Sequence, residues 1–160
     1  MPPDAISLNK AAIIERCLRR MREEYESDST LASPTHLEAL TLNLERACQA
    51  AIDLAMHIVA TEHLGVPQSS AESFTLLHQA GKLDPALAAR LAGMTGFRNI
   101  AIHPYRDLDA QVIHYIMQEG GKDLQNFCAA LNLNIALSTG QKNDLPGRAN
   151  RLHYPLGDRL

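Results

Sequence analysis

Arg98, Asn99, His103 and Tyr105 lie within eight positions of one another in the stretch Gly96-Phe97-Arg98-Asn99-Ile100-Ala101-Ile102-His103-Pro104-Tyr105, and the residues between them are mainly aliphatic. No other part of the chain gathers so many reactive side chains. Beside a phosphodiester each has a role. Arginine stays charged, and its planar fork matches phosphate oxygens, so Arg98 could neutralise charge that builds on a pentacovalent phosphorus. Histidine titrates near neutrality, so His103 could take or give a proton. Asn99 could orient the histidine or bond a nucleic acid, and Tyr105 could stack on a base. Together they could cleave RNA without a metal: His103 removes the 2′-OH proton, the 2′-oxygen attacks phosphorus, and Arg98 holds the phosphorane oxygens. DNA, lacking the 2′-OH, would be inert. One histidine per chain serves poorly as base and acid at once, whereas a two-fold dimer would bring two to a shared cleft. The plainer reading is that Arg98 and His103 satisfy carbonyls at a helix end and complement its dipole.

These residues need elements that hold them. Arg98 and His103 are five positions apart, roughly 140° around an ideal helix, so only a bend would aim both at one site. His103 precedes a proline, which disfavours helical backbone there, and the chain should leave or re-enter a helix at that point. Strand patterns are nearly absent, and the fold predicted is all-α: an antiparallel, four-helix-type bundle with short extra helices. A first helix should run from about Ser7 to Glu26, with Ile14, Leu18, Met21 and Tyr25 on one face and Arg16, Arg19, Arg20 and Arg22 on another. Ser33 and Pro34 start a second. Its stripe of Leu40, Leu44, Ala47, Ala51, Leu54, Ala55 and Ile58 should persist until Gly65-Val66-Pro67. Ser69-Ser70-Ala71-Glu72 is a capping-box pattern for a short helix ending at Gly81. Asp84-Pro85 opens another that should close near Gly93. After the motif, Asp107 can cap a last long helix, weakened or bent at Gly120-Gly121. Residues 1–137 form the predicted bundle domain. Residues 138–160, polar and rich in helix breakers, read as a mobile or partner-docking tail.

Composition narrows the function. The chain has 160 residues, is 46% hydrophobic and carries a formal net charge of -3, unlike the usual basic profile of a protein that coats nucleic acid. Cys17, Cys48 and Cys128 are far apart within apolar patterns and read as buried thiols of a reducing cytoplasm. No signal-peptide pattern opens the chain, and no apolar run approaches the ~20 residues of a membrane span. No Cys/His pattern suggests zinc, His57, Glu62 and His63 lack clean ligand spacing, and no glycine-rich phosphate loop suits ATP hydrolysis. No metal or cofactor is expected. His36, His78, His114 and His153 are scattered and read as surface or capping residues. The Arg16–Arg22 cluster could gather RNA phosphates, but Glu23, Glu24 and Glu26 beside it favour a solvated face. Asp53, mid-helix among Ala, Ile and Leu, is costly to bury unpaired. It either holds Arg98 or His103, or it faces solvent or pairs with an arginine of a neighbouring helix.

The extended motif from Gly96 to Tyr105 resembles the Arg-x4-His-x-Tyr signature of the HepT-like toxins of the HEPN superfamily. Glu45-Arg46-Ala47-Cys48-Gln49-Ala50-Ala51-Ile52-Asp53-Leu54-Ala55 resembles the second-helix block of that family. The likeness covers roughly residues 5 to 136. It implies an endoribonuclease toxin of a type II-like toxin–antitoxin pair, acting as a homodimer with Arg98 and His103 as the catalytic pair. It also implies an MNT-type nucleotidyltransferase antitoxin that neutralises the toxin by adding AMP to Tyr105. AMP would set a bulky anion two residues from the histidine. The alternative is a helical module of the same fold that binds a nucleotide or a nucleotidyltransferase and cleaves nothing.

Overall fold

The computed structural model describes the backbone of residues 2–102 and 110–136 and, outside 97–102 and 110–112, their side chains. Six α-helices are described: α1 (Ala5–Ser27), α2 (Pro34–Thr61), α3 (Ser70–Gln79), α4 (Pro85–Ile102), α5 (Ala110–Tyr115) and α6 (Gly121–Ala130). A π-helical turn, Ile116–Gly120, joins α5 to α6. No strand occurs among the described residues, as the all-α expectation requires. His153 and the expected tail fall outside the described residues, as do His103, Pro104, Tyr105 and the Asp107 cap.

The frame is the pair α1 and α2, packed along most of their length. Three cross-links set them antiparallel. His57 Nε2 sits 2.7 Å from Asp4 Oδ2, Lys10 Nζ donates to Asp53 at 3.2 Å, and His36 Nδ1 lies 2.5 Å from Glu24 Oε2. The α2 stripe expected from sequence is buried at every position. Its three alanines, Ala47, Ala51 and Ala55, with buried Ala50 beside them, keep the contact shallow and let neighbouring helices approach closely. α1 begins before the predicted Ser7. Asp4 supplies the cap, accepting the Ser7 N–H at 2.8 Å, and Ser7 becomes a buried first-turn residue. At the other end Asp28 accepts from Thr30 Oγ1 at 2.5 Å and from the Ser33 N–H at 2.7 Å. The Thr30 hydroxyl first, and then the Ser33 amide, hold its carboxyl below the usual range. Ser33 precedes α2 as expected, yet its own side chain makes no cap bond. α2 stops at Thr61, ahead of Gly65, because His63 turns left-handed at φ +54°.

One expectation needs correcting. The helix after Asp84-Pro85 does not close near Gly93. It continues as α4 for 18 residues to Ile102, with Gly93 and Gly96 inside it. Leu87, Ala88, Leu91 and Met94 bury one face of this helix, and that packing outweighs a glycine's cost of ~1 kcal/mol relative to alanine. The last helix is disturbed at Gly120-Gly121 as expected: regular α-helix gives way to the π turn that ends at Gly120, while Gly121 keeps helical φ -63° and ψ -37°. The capping box at α3 also differs from the simple pattern. Ser69 accepts from the Glu72 N–H at 3.2 Å, but Glu72 reaches back to the Gln68 N–H rather than to that of Ser69.

Phe74 of α3 and Phe127 of α6 meet edge-to-face at 5.5 Å and are fully buried, closing the core between the two short helices. All three cysteines are buried, and none forms a disulfide. Burial pushes the Cys128 thiol up to about 12 and raises that of Cys17. No helix among the described residues is long and apolar enough to cross a membrane.

Candidate active site

Arg98 and Asn99 stand on the last turns of α4, which ends at Ile102. The motif's helical half is therefore an extension of a packed helix and not the start of a new one. Its buried foot is firm: Leu91 is fully buried and Met94 is 9% exposed. α4 packs against α2 and α3 and touches α6. Arg90 Nε donates to Asp123 Oδ1 at 3.0 Å across the α4–α6 contact. The next firm point in the chain is Ile113 on α5, again fully buried. Beside it His114 Nδ1 and the Tyr25 hydroxyl of α1 share a short hydrogen bond. Their rings meet edge-on at 5.4 Å. The described helices on either side of His103 and Tyr105 are thus each tied to the α1–α2 frame.

Among the described residues, the cation that meets Asp53 from a neighbouring helix is Lys10, where the sequence reading had named an arginine. Asp53 Oδ1 also accepts from Gln49 Nε2 at 2.8 Å on the same helix. The Asp53 carboxylate remains 39% exposed, so it carries its charge without the penalty of full burial. The side chains of Arg98 and Asn99 lie outside the description, as does His103, so the other half of the Asp53 expectation falls on undescribed groups. Lys10 and Gln49 were missed as partners. Gln49 stands at i-4 from Asp53, a spacing visible in sequence. The Lys10 contact needs the register of α1 on α2, which no local pattern supplies.

The remaining polar groups are largely accounted for by structure. Arg19 pairs with Glu15 at 2.6 Å, Arg20 with Glu23 at 3.1 Å, and Arg22 approaches Glu26 at 3.9 Å. Arg20 and Arg22 are partly exposed and paired with carboxylates of their own helix, as a solvated face requires, whereas Arg19 is only 10% exposed in its pair with Glu15. His57 is engaged by Asp4, and Glu62 by Lys82 at 2.9 Å. His78 Nδ1 lies 2.9 Å from the Leu83 carbonyl. His114, half-buried in the last turn of α5, also belongs to the α1–α5 tether, which sequence distance conceals. Among the described residues no group of three or more His, Cys, Asp or Glu is placed to hold a metal ion.

Comparison with known proteins places this arrangement. The profile of the family described as Ribonuclease HepT-like matches residues 12–131. The mRNA nuclease HepT of Shewanella oneidensis is 39% identical over 123 residues, covering 76% of this chain and 92% of that protein. A tRNA nuclease HepT of Aphanizomenon flos-aquae is 36% identical over 66 residues, 41% of this chain and 45% of that one. Among solved structures, a tri-AMPylated HEPN toxin of Shewanella oneidensis in complex with its MNT antitoxin superposes with a TM-score of 0.76 at 36% identity, covering 81% of this chain and 98% of that one.

Proposed function

The chain belongs to the ribonuclease HepT-like family, and we propose that it is the endoribonuclease toxin of a toxin–antitoxin pair, cleaving RNA through Arg98 and His103. The observation that carries this reading is the family match over residues 12–131, which takes in the whole motif at the end of α4. Relatives named as nucleases and a like-folded toxin bound to an MNT antitoxin support the activity and the partner.

The chemistry follows from the residue types. His103 takes the 2′-OH proton, and the 2′-oxygen forms a bond to phosphorus as the bond to the 5′-oxygen breaks. Arg98 neutralises the phosphorane oxygens, and the leaving 5′-oxygen takes a proton from His103 of the partner subunit. The products are a 2′,3′-cyclic phosphate and a free 5′-hydroxyl. Neither electrophile nor base need be a metal, because arginine and histidine supply both. A homodimer places the second histidine. Asn99 orients the pair, and Asp53 supports the motif from α2 as a positioning residue. Control comes from a nucleotidyltransferase of the MNT type that transfers AMP to Tyr105. The adduct adds negative charge and bulk two residues from His103, repelling RNA phosphates and filling the cleft. RNA as substrate and a nucleotide-consuming partner set the site of action in the cytoplasm.

The test uses unmodified protein, checked by mass for a bare Tyr105, and its His103→Ala variant. Both are incubated with tRNA and mRNA in excess EDTA. Cutting by the wild type alone, with cyclic-phosphate ends, is the expected result. Equal cutting by both overturns the role of His103. No cutting by either points to a module that binds its partner and cleaves nothing.

A further inference from the structure

A cavity of about 280 Å³ opens beside the motif helix, between α1, α2, α4 and the π turn. Leu18, Met21, Leu44 and Leu124 make its apolar floor. Its size falls just under the ~300–1,000 Å³ typical of pockets for drug-sized ligands, which suits a single flat ring system. The polar groups are few and sit together. Arg90 and Asp123 line it as an ion pair joined through Arg90 Nε and Asp123 Oδ1. That bond leaves Asp123 Oδ2 and the Arg90 Nη groups without a partner among the described residues. Tyr115, 55% exposed, lines the edge, and Met94 lines the wall from α4.

A second, independent observation concerns glycine. Gly93 lies inside α4 and Gly121 opens α6, both line this cavity, and both sit in ordinary helical backbone. Among the described residues, outside the helix's own backbone, a Cβ at either position would meet no atom within 4 Å. No close approach of described neighbouring chain requires them, and glycine in a helix is unfavourable. What the missing side chains do provide is open space in one cavity. The π turn beside them is a further departure from regular helix, of a kind common at functional sites.

We propose that this cavity receives a guanine base of the RNA substrate, so that the protein selects where it cuts. The inference rests on the ribonuclease reading above. An aromatic edge and an apolar floor accept the faces of a flat base. A carboxylate with a free oxygen accepts the adjacent N1–H and N2–H of guanine, and a guanidinium with free Nη groups donates to O6. Adenine offers no such pair of adjacent donors on that edge, and the pyrimidines cover less of the floor. Position fits as well. Arg98 follows Met94 by four residues on α4, ~6 Å along the helix, so a strand whose phosphate is held at Arg98 has a neighbouring base within reach of the cavity.

The experiment uses short RNAs with 2′-fluoro sugars, which cannot be cut, carrying one guanine, inosine or adenine in an otherwise uridine strand. Binding is read by fluorescence anisotropy in EDTA, and cleavable versions are mapped in parallel. The expected result is at least tenfold tighter binding of the guanine strand than of the inosine or adenine strand, with cuts at a fixed offset from guanine. Asp123→Asn should erase that preference, and Gly93→Leu, which fills the cavity, should bring guanine strands to the level of the others. Both variants should keep the helical circular dichroism of the wild type, which separates loss of the pocket from loss of the fold. A preference unchanged in Asp123→Asn, or guanine binding intact in Gly93→Leu, overturns the proposal. So does displacement by free guanosine monophosphate with no preference within RNA, which would assign the cavity to a nucleotide instead. A guanine preference with no cutting of any RNA would sustain the cavity's role and overturn the ribonuclease reading.

Discussion

Replacing Gly93 by alanine should stabilise this protein, and the reason can be worked from the structure. The residue is the ninth of the 18 in α4, far from either end. In a helix interior glycine is less favourable than alanine by ~0.5–1 kcal/mol, chiefly because the unfolded chain loses more freedom on folding. That gain is usually offset where the new methyl strikes a neighbour, but here a Cβ meets nothing within 4 Å among the described residues. The net change should therefore be the full ~0.5–1 kcal/mol, or ~1–4 °C in Tm for a chain of this length. Gly121→Ala should act in the same direction, since Gly121 has φ -63° and ψ -37° and equally open surroundings. Gly81→Ala is the control with opposite sign. Its surroundings are just as open, but its φ of +78° is left-handed, and alanine there should destabilise. Urea unfolding of the three variants, with m unchanged, would measure this. If Gly93→Ala and Gly121→Ala lower stability, the fold itself requires these glycines, and the case for space reserved for a ligand falls with the prediction.

Asp53→Asn tests support of the motif from α2. The Lys10 pair it breaks is partly exposed, at 28% and 39%, so stability should change by only ~0.2–1 kcal/mol. kcat should fall while KM holds, whereas Lys10→Met, which breaks the same pair, should match the stability change and leave kcat alone. Equal kcat values for all three proteins would remove Asp53 from the site. Asp4 tests the cap of α1. The Ser7 amide first, and then His57, hold its carboxyl down to about 2 from 3.8. A depressed carboxylate stabilises above its unfolded pKa and loses that effect as pH falls through the folded one. The Tm gap between wild type and Asp4→Asn should therefore be full above about pH 4 and close as pH drops toward 2; a gap constant over that range would refute the cap's charge dependence.

The parts of this fold legible in sequence are those set by local pattern. The α2 stripe was readable because seven apolar positions at helical spacing face one partner, and every one of them is buried. Pro34 and the Ser69 cap announced helix starts through backbone chemistry confined to four residues. The misreadings come from the opposite circumstance. Gly93 looked like a stop because propensity was weighed without the burial of Leu87, Leu91 and Met94, which carries α4 through it. His114 looked incidental because its partner Tyr25 is 89 positions away. Lys10 was not linked to Asp53, 43 positions distant, for the same reason. The motif was found by its residue types, but its setting as the extension of a packed helix, with its own supports, depends on long-range contacts.

In the reading proposed above, one helix would link catalysis to selection. α4 carries Arg98 near its end, Gly93 and Met94 one turn and more before it, and Arg90 a turn earlier still. Rotation of α4 about its axis would displace all of them together, so whatever fixes that rotation fixes the offset between the base pocket and the scissile phosphate. The apolar face does most of this, since Leu87 and Leu91 are almost wholly buried. Arg90 and Asp123 add little to stability, because the arginine is 47% exposed and such a pair contributes ~0–1 kcal/mol. The two are therefore at liberty to exchange partners. A base that engages the free oxygen of Asp123 and the free nitrogens of Arg90 adds bonds to a pair already in place, and α4 need not move to admit it. A weak ion pair over an apolar floor, on a helix held by other contacts, can discriminate between bases without disturbing the arginine two turns away.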